Sequence, residues 1–272
     1  MKLLNTIRVE KPWGKFELPE PFSSDDQGKI GEIWFDPPAE LADLLVKFIF
    51  TSEQLSIQVH PDDAQAVRLE GLRAGKEECW LVLDARPGAK LGIGFSKQSN
   101  AAEVRSGAEN GTIESLMDWF EVRAGDYFYI PAGTVHAIGA GIALVEIQQN
   151  SDITYRLYDY GRPRELHLDK GMAVATFGPH DPKLRQRDVF STSRQLCDGP
   201  HFKLWCVSTT SSLREKVEKR CLIIVIKGDL QVSGQMVGQG CCALVDAGDI
   251  VTLSDGGIFL RAESLGAQSN DG

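Results

Sequence analysis

Four side chains that commonly bind divalent metals stand out in the sequence: Gln58, His60, Glu78 and His136. Gln58 and His60 lie two residues apart at the end of an apolar run, and residues i and i+2 of an extended strand point to the same face. An amide oxygen, two imidazoles and a carboxylate form a reasonable ligand set for a divalent ion. The sequence therefore predicts a metal site that joins these four positions.

A second pattern surrounds His136. Gly125, Pro131 and Gly133 precede it at spacings of eleven, five and three residues. We interpret this segment as a Gly-Asp turn, a strand over residues 127–130, a tight corner, and a second strand with the histidine facing inward. The alternative interpretation is a structural histidine in the core, whose ring nitrogens form hydrogen bonds within the protein. The spacing resembles the second signature of the cupin superfamily.

Composition narrows the classes of function. The 272 residues carry a net charge of −9 without a long basic run, which argues against binding to nucleic acid or to an anionic membrane. An anionic substrate would need a local cationic pocket. The sequence has no apolar stretch of the roughly 20 residues that span a bilayer and no signal-peptide core, so we expect a cytoplasmic protein. The six cysteines form no C-x-x-C pair and are expected to be reduced thiols.

The chain consists mainly of short segments rich in β-branched and aromatic residues, separated by turn-forming residues. This favours an all-β sandwich or jelly roll over a parallel α/β sheet. The resemblance to the cupin signature implies a double cupin of jelly-roll barrels with a few short helices. Helices are predicted near residues 64–72, 101–110, 113–119 and 166–176. Ala-Gly-Asp before a strand occurs at 124–126 and again at 247–249, which suggests two related modules. The tail from Gly266 is expected to be disordered.

One ligand is ambiguous from the pattern alone. Residues 75–80 offer both Glu77 and Glu78, and strand alternation does not choose between them. This segment, together with residues 11–14, 30–34, 55–62 and 146–156, resembles the motifs of type I mannose-6-phosphate isomerases in their short bacterial form. The resemblance extends from residue 8 to about 162.

The resemblance implies that Gln58, His60, Glu78 and His136 bind Zn²⁺. Glu78 is preferred because it directly precedes the Cys-Trp pair of the motif. The alternative for short bacterial forms is that only the two histidines and the glutamate bind the metal and that Gln58 lies behind them. Three protein ligands are the usual pattern of a catalytic zinc site. The same residue types also bind iron or manganese in other cupins.

Residue roles next to the metal follow from the same resemblance. It implies Arg156 as a cation that supports catalysis, Glu146 as a proton-transfer carboxylate and Lys76 as a catalytic neighbour of the metal. Lys47 and Ser56 match phosphate-binding positions. The alternatives are that Lys47 is a solvent-facing charge on an edge strand, that Ser56 is a neutral barrel residue, and that Glu146 and Arg156 pair with each other.

The implied function is a zinc-dependent aldose–ketose isomerase that interconverts D-mannose 6-phosphate and D-fructose 6-phosphate through a cis-enediol. The expected partner is a small hexose phosphate, and the expected state is a monomer or a homodimer. We expect residues 1–165 to form the catalytic metal-binding domain and residues 180–272 a metal-free, cupin-like domain. An iron-dependent cupin oxygenase and a non-catalytic sugar-binding cupin are the competing hypotheses.

Overall fold

Antiparallel strands make up most of the structure, a computed structural model that describes residues 1–23 and 27–266. The tail expected to be disordered beyond Gly266 lies outside the described residues. In chain order the strands are β1 (Lys2–Leu3), β2 (Thr6–Lys15), β3 (Ile30–Phe35), β4 (Leu44–Phe50), β5 (Ile57–Val59), β6 (Glu78–Ala85), β7 (Lys90–Phe95), β8 (Met117–Glu121), β9 (Tyr127–Ile130), β10 (His136–Ile138), β11 (Ile142–Gln149), β12 (Tyr155–Tyr158), β13 (Arg185–Gln186), β14 (Arg194–Asp198), β15 (Phe202–Ser208), β16 (Leu213–Lys216), β17 (Cys221–Lys227), β18 (Leu230–Val232), β19 (Gln235–Val237), β20 (Cys242–Val245), β21 (Ile250–Leu253) and β22 (Ile258–Ser264).

The helices are short and lie close to the predicted segments. They are α1 (Asp63–Glu70), α2 (Ala101–Asn110), α3 (Ile113–Leu116) and α4 (Leu168–Val174), with 3-10 turns at Ala39–Leu41 and Pro182–Leu184. Asp62 caps the N-terminus of α1 as part of a capping box with Gln65. The helix expected over 113–119 instead ends at Leu116, because Met117 is extended and begins β8, which pairs with β7. None of the helices in the described parts of the chain is long and apolar enough to cross a bilayer.

Within residues 1–23 and 27–266 the strands form four sheets, and all pairings between these strands are antiparallel. A seven-stranded sheet has the order β13-β9-β6-β11-β4-β3-β2, and a five-stranded sheet has the order β12-β5-β10-β7-β8. Later in the chain, a six-stranded sheet (β1-β20-β17-β22-β15-β14) accompanies a four-stranded one (β16-β21-β18-β19). This arrangement confirms the predicted all-β class. Strand β1 pairs with β20 of the six-stranded sheet, and β13 pairs with β9 of the seven-stranded sheet. Each of these two sheets therefore includes a strand from outside the expected domain boundaries. The division into domains 1–165 and 180–272 stays a prediction.

Strand β4 is buried along its whole length, which explains why its sequence is apolar except for Lys47. All seven of its residues are buried, because the seven-stranded sheet is covered on both faces. Leu44, Val46 and Phe48 pack in a core shared with the six-stranded sheet, whereas Ile49 packs on the opposite side, toward the five-stranded sheet. By alternation Lys47 faces the same interior as Ile49. The charge on β4 is therefore turned into the first barrel.

Helices cover the outer face of the five-stranded sheet. Ile57, Val59 and Leu157 from this sheet pack with Val104 of α2 and Val174 of α4. The side chains between these apolar positions, including residue 58, are left to point into the barrel. The packing of the helices thus sets which side chains of β5 and β12 reach the interior.

The repeated Gly-Asp turn forms in both barrels with the same bonds. The turn at 125–126 exchanges two backbone hydrogen bonds with Val82, at 2.9 Å each, and the turn at 248–249 exchanges the same two with Val217, at 2.8 and 2.9 Å. Both turns begin with glycine at positive φ, 87° and 97°, a conformation that side chains with Cβ rarely adopt. The sequence echo therefore reflects a repeated local structure.

Candidate metal centre

Three of the predicted ligands meet inside the first barrel. His60 directly follows β5, Glu78 begins β6 and His136 begins β10. Oε1 of Glu78 lies 3.3 Å from Nε2 of His136, and Oε2 lies 3.6 Å from Nε2 of His60. One ligand atom from each residue falls within 4.8 Å of the others. Exposure is 2% or less for all three residues, so the cluster is shielded from bulk water.

Backbone carbonyls orient both imidazoles. Nδ1 of His60 lies 2.7 Å from the carbonyl oxygen of Ile153, and Nδ1 of His136 lies 2.8 Å from that of Thr134. A carbonyl only accepts, so each Nδ1 carries the donated hydrogen and each neutral ring keeps its lone pair on Nε2. These are the nitrogens that face Glu78. The tautomer that a metal requires is therefore set by the main chain.

The corner before His136 connects the two histidine ligands. Gly133 donates its amide hydrogen to the carbonyl of His60 at 2.8 Å. Its φ is +81°, and a Cβ there would lie 2.9 Å from the carbonyl oxygen of Val174. The corner therefore favours glycine for both backbone conformation and space.

Gln58 faces the cluster from the neighbouring strand. It is the registered partner of His136, and its side-chain nitrogen lies 3.3 Å from Nε2 of that residue. Its Oε1 accepts a hydrogen bond from Ser56 Oγ at 3.3 Å. A half-turn of the carboxamide would exchange its oxygen and nitrogen and direct an oxygen toward the cluster. The fold therefore places Gln58 beside the candidate metal site, with its side-chain nitrogen directed toward His136.

The residues present fit a bound divalent ion. Oε2 of Glu78 pairs with Nζ of Lys76, but Oε1 is buried without a hydrogen-bond donor in the described part of the chain, an arrangement that is costly unless a cation or donor compensates for it. Two imidazole nitrogens with outward lone pairs converge on the same carboxylate. This donor set suits zinc and related transition metals, which accept nitrogen and oxygen ligands together.

A chain of buried charges extends from the cluster. Nζ of Lys76 lies 2.6 Å from Oε2 of Glu78 and 3.9 Å from Oε1 of Glu146. Glu146 also lies 3.4 Å from Nζ of Lys47 and accepts a hydrogen bond from the Trp80 indole at 2.9 Å. The two lysines and two glutamates alternate in sign. The cost of burying each charge is therefore offset by its neighbours.

These contacts and burial shift the pKa values of Glu78 and Glu146 in opposite directions. Burial and the nearby Glu146 raise the pKa of Glu78 to about 7. For Glu146, burial alone would raise the pKa, but Lys76 and Lys47 outweigh it and lower the pKa to about 2. Burial and the charge of Lys76 lower the pKa of His136 to about 4. Near neutral pH, Glu146 is therefore an ionised carboxylate and His136 a neutral imidazole.

A polar cavity of about 270 Å³ lies beside the cluster, and its wall includes Gln58 and Lys76, which contact His136 and Glu78 respectively. Its walls combine five cationic side chains with three carboxylates, so it has a cationic excess in a chain whose net charge is −9. The lining residues are Lys11, Trp13, Glu32, Trp34, Lys47, Ile49, Leu55, Ser56, Gln58, Lys76, Ile138, Glu146, Asp152, Thr154, Arg156 and Arg164.

The structure brings the remaining predicted residues to this cavity. Arg156 is the registered partner of Gln58, and its guanidinium donates to the carbonyl of Glu165 at 2.9 Å. Glu146 forms its ion pairs with the two lysines. Lys47 lies on a central strand of the seven-stranded sheet and is 5% exposed, which excludes the alternative of a solvent-facing edge charge. Ser56 is also buried at the cavity wall.

The ambiguity between the adjacent glutamates is resolved by β6. Glu78 points inward, whereas the backbone amide of Glu77 donates to Gln149 and its carboxylate accepts from the Tyr129 hydroxyl. Tyr129 belongs to the core shared with the six-stranded sheet. Glu77 therefore lies on the far side of the sheet from the two histidines.

Sequence reasoning missed several cavity residues. Glu32 accepts from the Trp34 indole at 2.6 Å and pairs with Lys11 at 3.3 Å, and the Trp34 ring lies 4.4 Å from Nζ of Lys47. Alternation along β3, where Ile33 faces the shared core, was an available signal for the inward direction of Glu32 and Trp34. Arg164 lies in irregular chain after β12, where alternation gives no direction.

Together, the fold and the buried His/Glu/His cluster define a double cupin with a candidate metal centre. Comparison with curated sequences then shows which proteins the chain resembles. The mannose-6-phosphate isomerase ManA of Bacillus subtilis (strain 168) is 37% identical over 210 residues, which cover 71% of this chain and 65% of that protein. No protein-family model matches the chain. The chain is similar to mannose-6-phosphate isomerases, and it spans between 45% and 65% of the length of the curated relatives that it matches.

Solved structures agree with the fold. The crystal structure of the mannose 6-phosphate isomerase from Bacillus subtilis aligns with a TM-score of 0.78 at 24% identity and covers 96% of this chain and 99% of its own. A zinc-bound mannose 6-phosphate isomerase aligns with a TM-score of 0.70 at 13% identity, with 97% and 99% covered. At these identities the likeness shows the shared fold.

Proposed function

We propose that this chain is a zinc-dependent aldose–ketose isomerase that interconverts D-mannose 6-phosphate and D-fructose 6-phosphate through a cis-enediol. The observation that carries the proposal is the convergence of His60, Glu78 and His136 beside a cavity with a cationic excess. Sequence similarity to mannose-6-phosphate isomerases supports the choice of reaction. A phosphorylated sugar suits this cavity because a phosphate dianion requires cationic partners when water is partly excluded.

His60, Glu78 and His136 would hold the zinc ion, with Gln58 as the fourth candidate ligand. Support comes from the fixed imidazole tautomers and from the zinc-bound relative of the same fold. Zinc supplies Lewis-acid polarisation of sugar oxygens without redox chemistry.

The surrounding residues would carry out the proton transfer. Glu146 is the proposed base that moves the proton between C1 and C2, and its ionised state between Lys47 and Lys76 supports this role. Lys76 balances the charge of Glu146 as the carboxylate gains and loses the proton. Arg156 would stabilise the negative charge that develops on the enediolate oxygens.

Further features of the proposal concern the rest of the chain. Lys47 and Ser56 are proposed to contact the bound hexose phosphate. Residues 1–165 would form the catalytic, metal-binding unit, and residues 180–272 a metal-free unit that supports the seven-stranded sheet. The protein would act in the cytoplasm as a monomer or homodimer.

A coupled assay with mannose 6-phosphate tests the proposal directly. The purified protein should form fructose 6-phosphate, lose activity with a chelator and regain it with Zn²⁺, with about one zinc per chain by elemental analysis. Binding of the sugar without turnover by zinc-loaded protein would indicate a sugar-binding cupin. Iron content together with oxygen consumption would indicate an oxygenase. Either result contradicts the isomerase proposal.

A further inference from the structure

The loop between α1 and β6 leads into the candidate metal centre. Residues 71–77 form neither helix nor strand. At the end of this loop, Nζ of Lys76 lies 2.6 Å from Oε2 of Glu78 and 3.2 Å from Nε2 of His60. Gly75 and Lys76 are both buried, and a buried irregular segment needs acceptors for its backbone amides elsewhere in the chain. The groups that supply these acceptors therefore determine where Lys76 and Glu78 lie.

Three consecutive amides of the loop each donate to an acceptor outside it. The Gly75 amide donates to Oδ1 of Asp63 at 2.7 Å, and the Lys76 amide donates to the carbonyl of Pro61 at 3.0 Å. The Glu77 amide donates to Oε1 of Gln149 at 2.9 Å. Two of the three acceptors are side chains, so the position of the loop depends on which residues stand at positions 63 and 149.

Asp63 and Gln149 also contact each other. Nε2 of Gln149 donates to the same Oδ1 of Asp63 at 2.9 Å, so one carboxylate oxygen joins the start of α1, the loop and the end of β11. The backbone amide of Gln149 donates to the carbonyl of Glu77 at 3.0 Å. Gln149 therefore holds Glu77, the residue before the candidate ligand, through both its main chain and its side chain. Hydrogen bonds to an ionised carboxylate are stronger than neutral ones.

The two adjacent aspartates after Pro61 have different partners. Asp62 is exposed and caps α1, whereas Asp63 faces the loop. The loop lies directly against the turn that follows His60, because a Cβ at Gly75 would come within 2.4 Å of the carbonyl oxygen of Pro61. The contact between Asp63 and the loop thus fixes the loop relative to one of the histidines.

We propose that Asp63 and Gln149 form a positioning pair that holds Lys76 and Glu78 against His60 and thereby sets the affinity of the site for zinc. The inference rests on the proposed function for the identity of the metal. Both side chains act through the backbone of the loop. Hydrogen-bonding partners behind metal ligands typically account for about 10- to 100-fold in metal affinity.

Competition with a chromophoric chelator measures zinc affinity without turnover. Asp63→Ala and Gln149→Ala should each weaken zinc binding about 10- to 100-fold. Asp63→Asn should retain most of the affinity, because one amide oxygen can accept both hydrogen bonds. Asp62→Ala is the matched control: it removes the cap of the same helix and should lower the melting temperature, but it should leave zinc affinity unchanged.

The visible absorption of the Co²⁺-substituted protein gives a second measurement, because it reports the geometry of the ligands. The spectrum should change in Asp63→Ala and Gln149→Ala and stay the same in Asp62→Ala. If Gln149→Ala does not fold, Gln149→Glu replaces it. This variant keeps the acceptor for the Glu77 amide but places a carboxylate oxygen against Asp63, and it should also weaken zinc binding.

Zinc affinity and spectrum like those of the wild type in the variants of Asp63 and Gln149 would overturn the inference, as would an equal loss of affinity in Asp62→Ala. The isomerase assay separates this result from the proposed function. A wild-type protein that isomerises mannose 6-phosphate, with variants that bind zinc normally, would contradict the inference alone. A wild-type protein without turnover, with variants that bind zinc weakly, would refute the isomerase proposal and support the inference.

Discussion

Replacing Glu146 by glutamine should destabilise the metal-free protein through the buried charge chain. Glutamine keeps the shape of the side chain and an acceptor for the Trp80 indole, but it leaves Lys47 and Lys76 without the carboxylate between them. Lowering the pKa of Glu146 from 4.5 to about 2 corresponds to about 3 kcal/mol of stability at pH 7. This agrees with the ~3–5 kcal/mol typically lost when one member of a buried ion pair is removed.

The sign of the pH dependence follows from the lowered pKa. The ionised carboxylate stabilises the folded state above pH 4.5, and its contribution disappears as the pH falls through about 2. Thermal unfolding followed by circular dichroism at pH 7 should show Glu146→Gln melting about 6–12 °C below the wild type. The gap between the two proteins should narrow between pH 4.5 and pH 2.

Glu53→Gln provides the control for this prediction. Glu53 pairs with Lys29 at 3.2 Å, but its side chain is 52% exposed, and such surface pairs contribute about 0–1 kcal/mol. Its melting temperature should therefore change little. Equal melting temperatures for Glu146→Gln and the wild type at pH 7 would refute the reasoning, as would a gap that stays constant down to pH 2.

Two further predictions concern the metal and the cavity wall. His60→Ala should reduce the zinc content to a small fraction of an equivalent, measured by elemental analysis after dialysis. The control variant His201→Ala should retain its zinc. Full retention of zinc in His60→Ala would remove His60 from the ligand set. Arg156→Ala should keep its zinc but lower kcat about 10²–10³-fold, whereas Arg105→Ala, which breaks an exposed pair with Asp169, should leave kcat unchanged. A near-normal kcat in Arg156→Ala would exclude it from the chemistry.

The metal centre was largely readable from sequence because its residues lie on or beside regular strands. Gln58 and His60 obey the two-residue period of β5, and His136 follows a corner with a recognisable glycine and proline. Glu78 needed the family resemblance, because the two glutamates lie where β6 begins and only the packing of Tyr129 shows which one faces outward.

Pairing between strands that are distant in sequence limited the prediction of the other site residues. Whether Lys47 lay on an edge or a central strand depended on β11 pairing with β4 on the side away from β3, and β11 follows seven strands later in the chain. Arg164 reaches the cavity through an irregular segment whose direction is set by the buried Asp159. The same limit applies to β1, which pairs with β20 more than two hundred residues later.

The carbonyl acceptors behind the two imidazoles make the metal centre tolerant of sequence drift. Every residue type carries a main-chain oxygen, so exchanging Thr134 or Ile153 for another amino acid leaves the acceptor chemistry in place. Such a site is vulnerable to insertions and deletions, which would displace those oxygens. Variation in chain length near positions 134 and 153 should therefore be more damaging than variation in residue type.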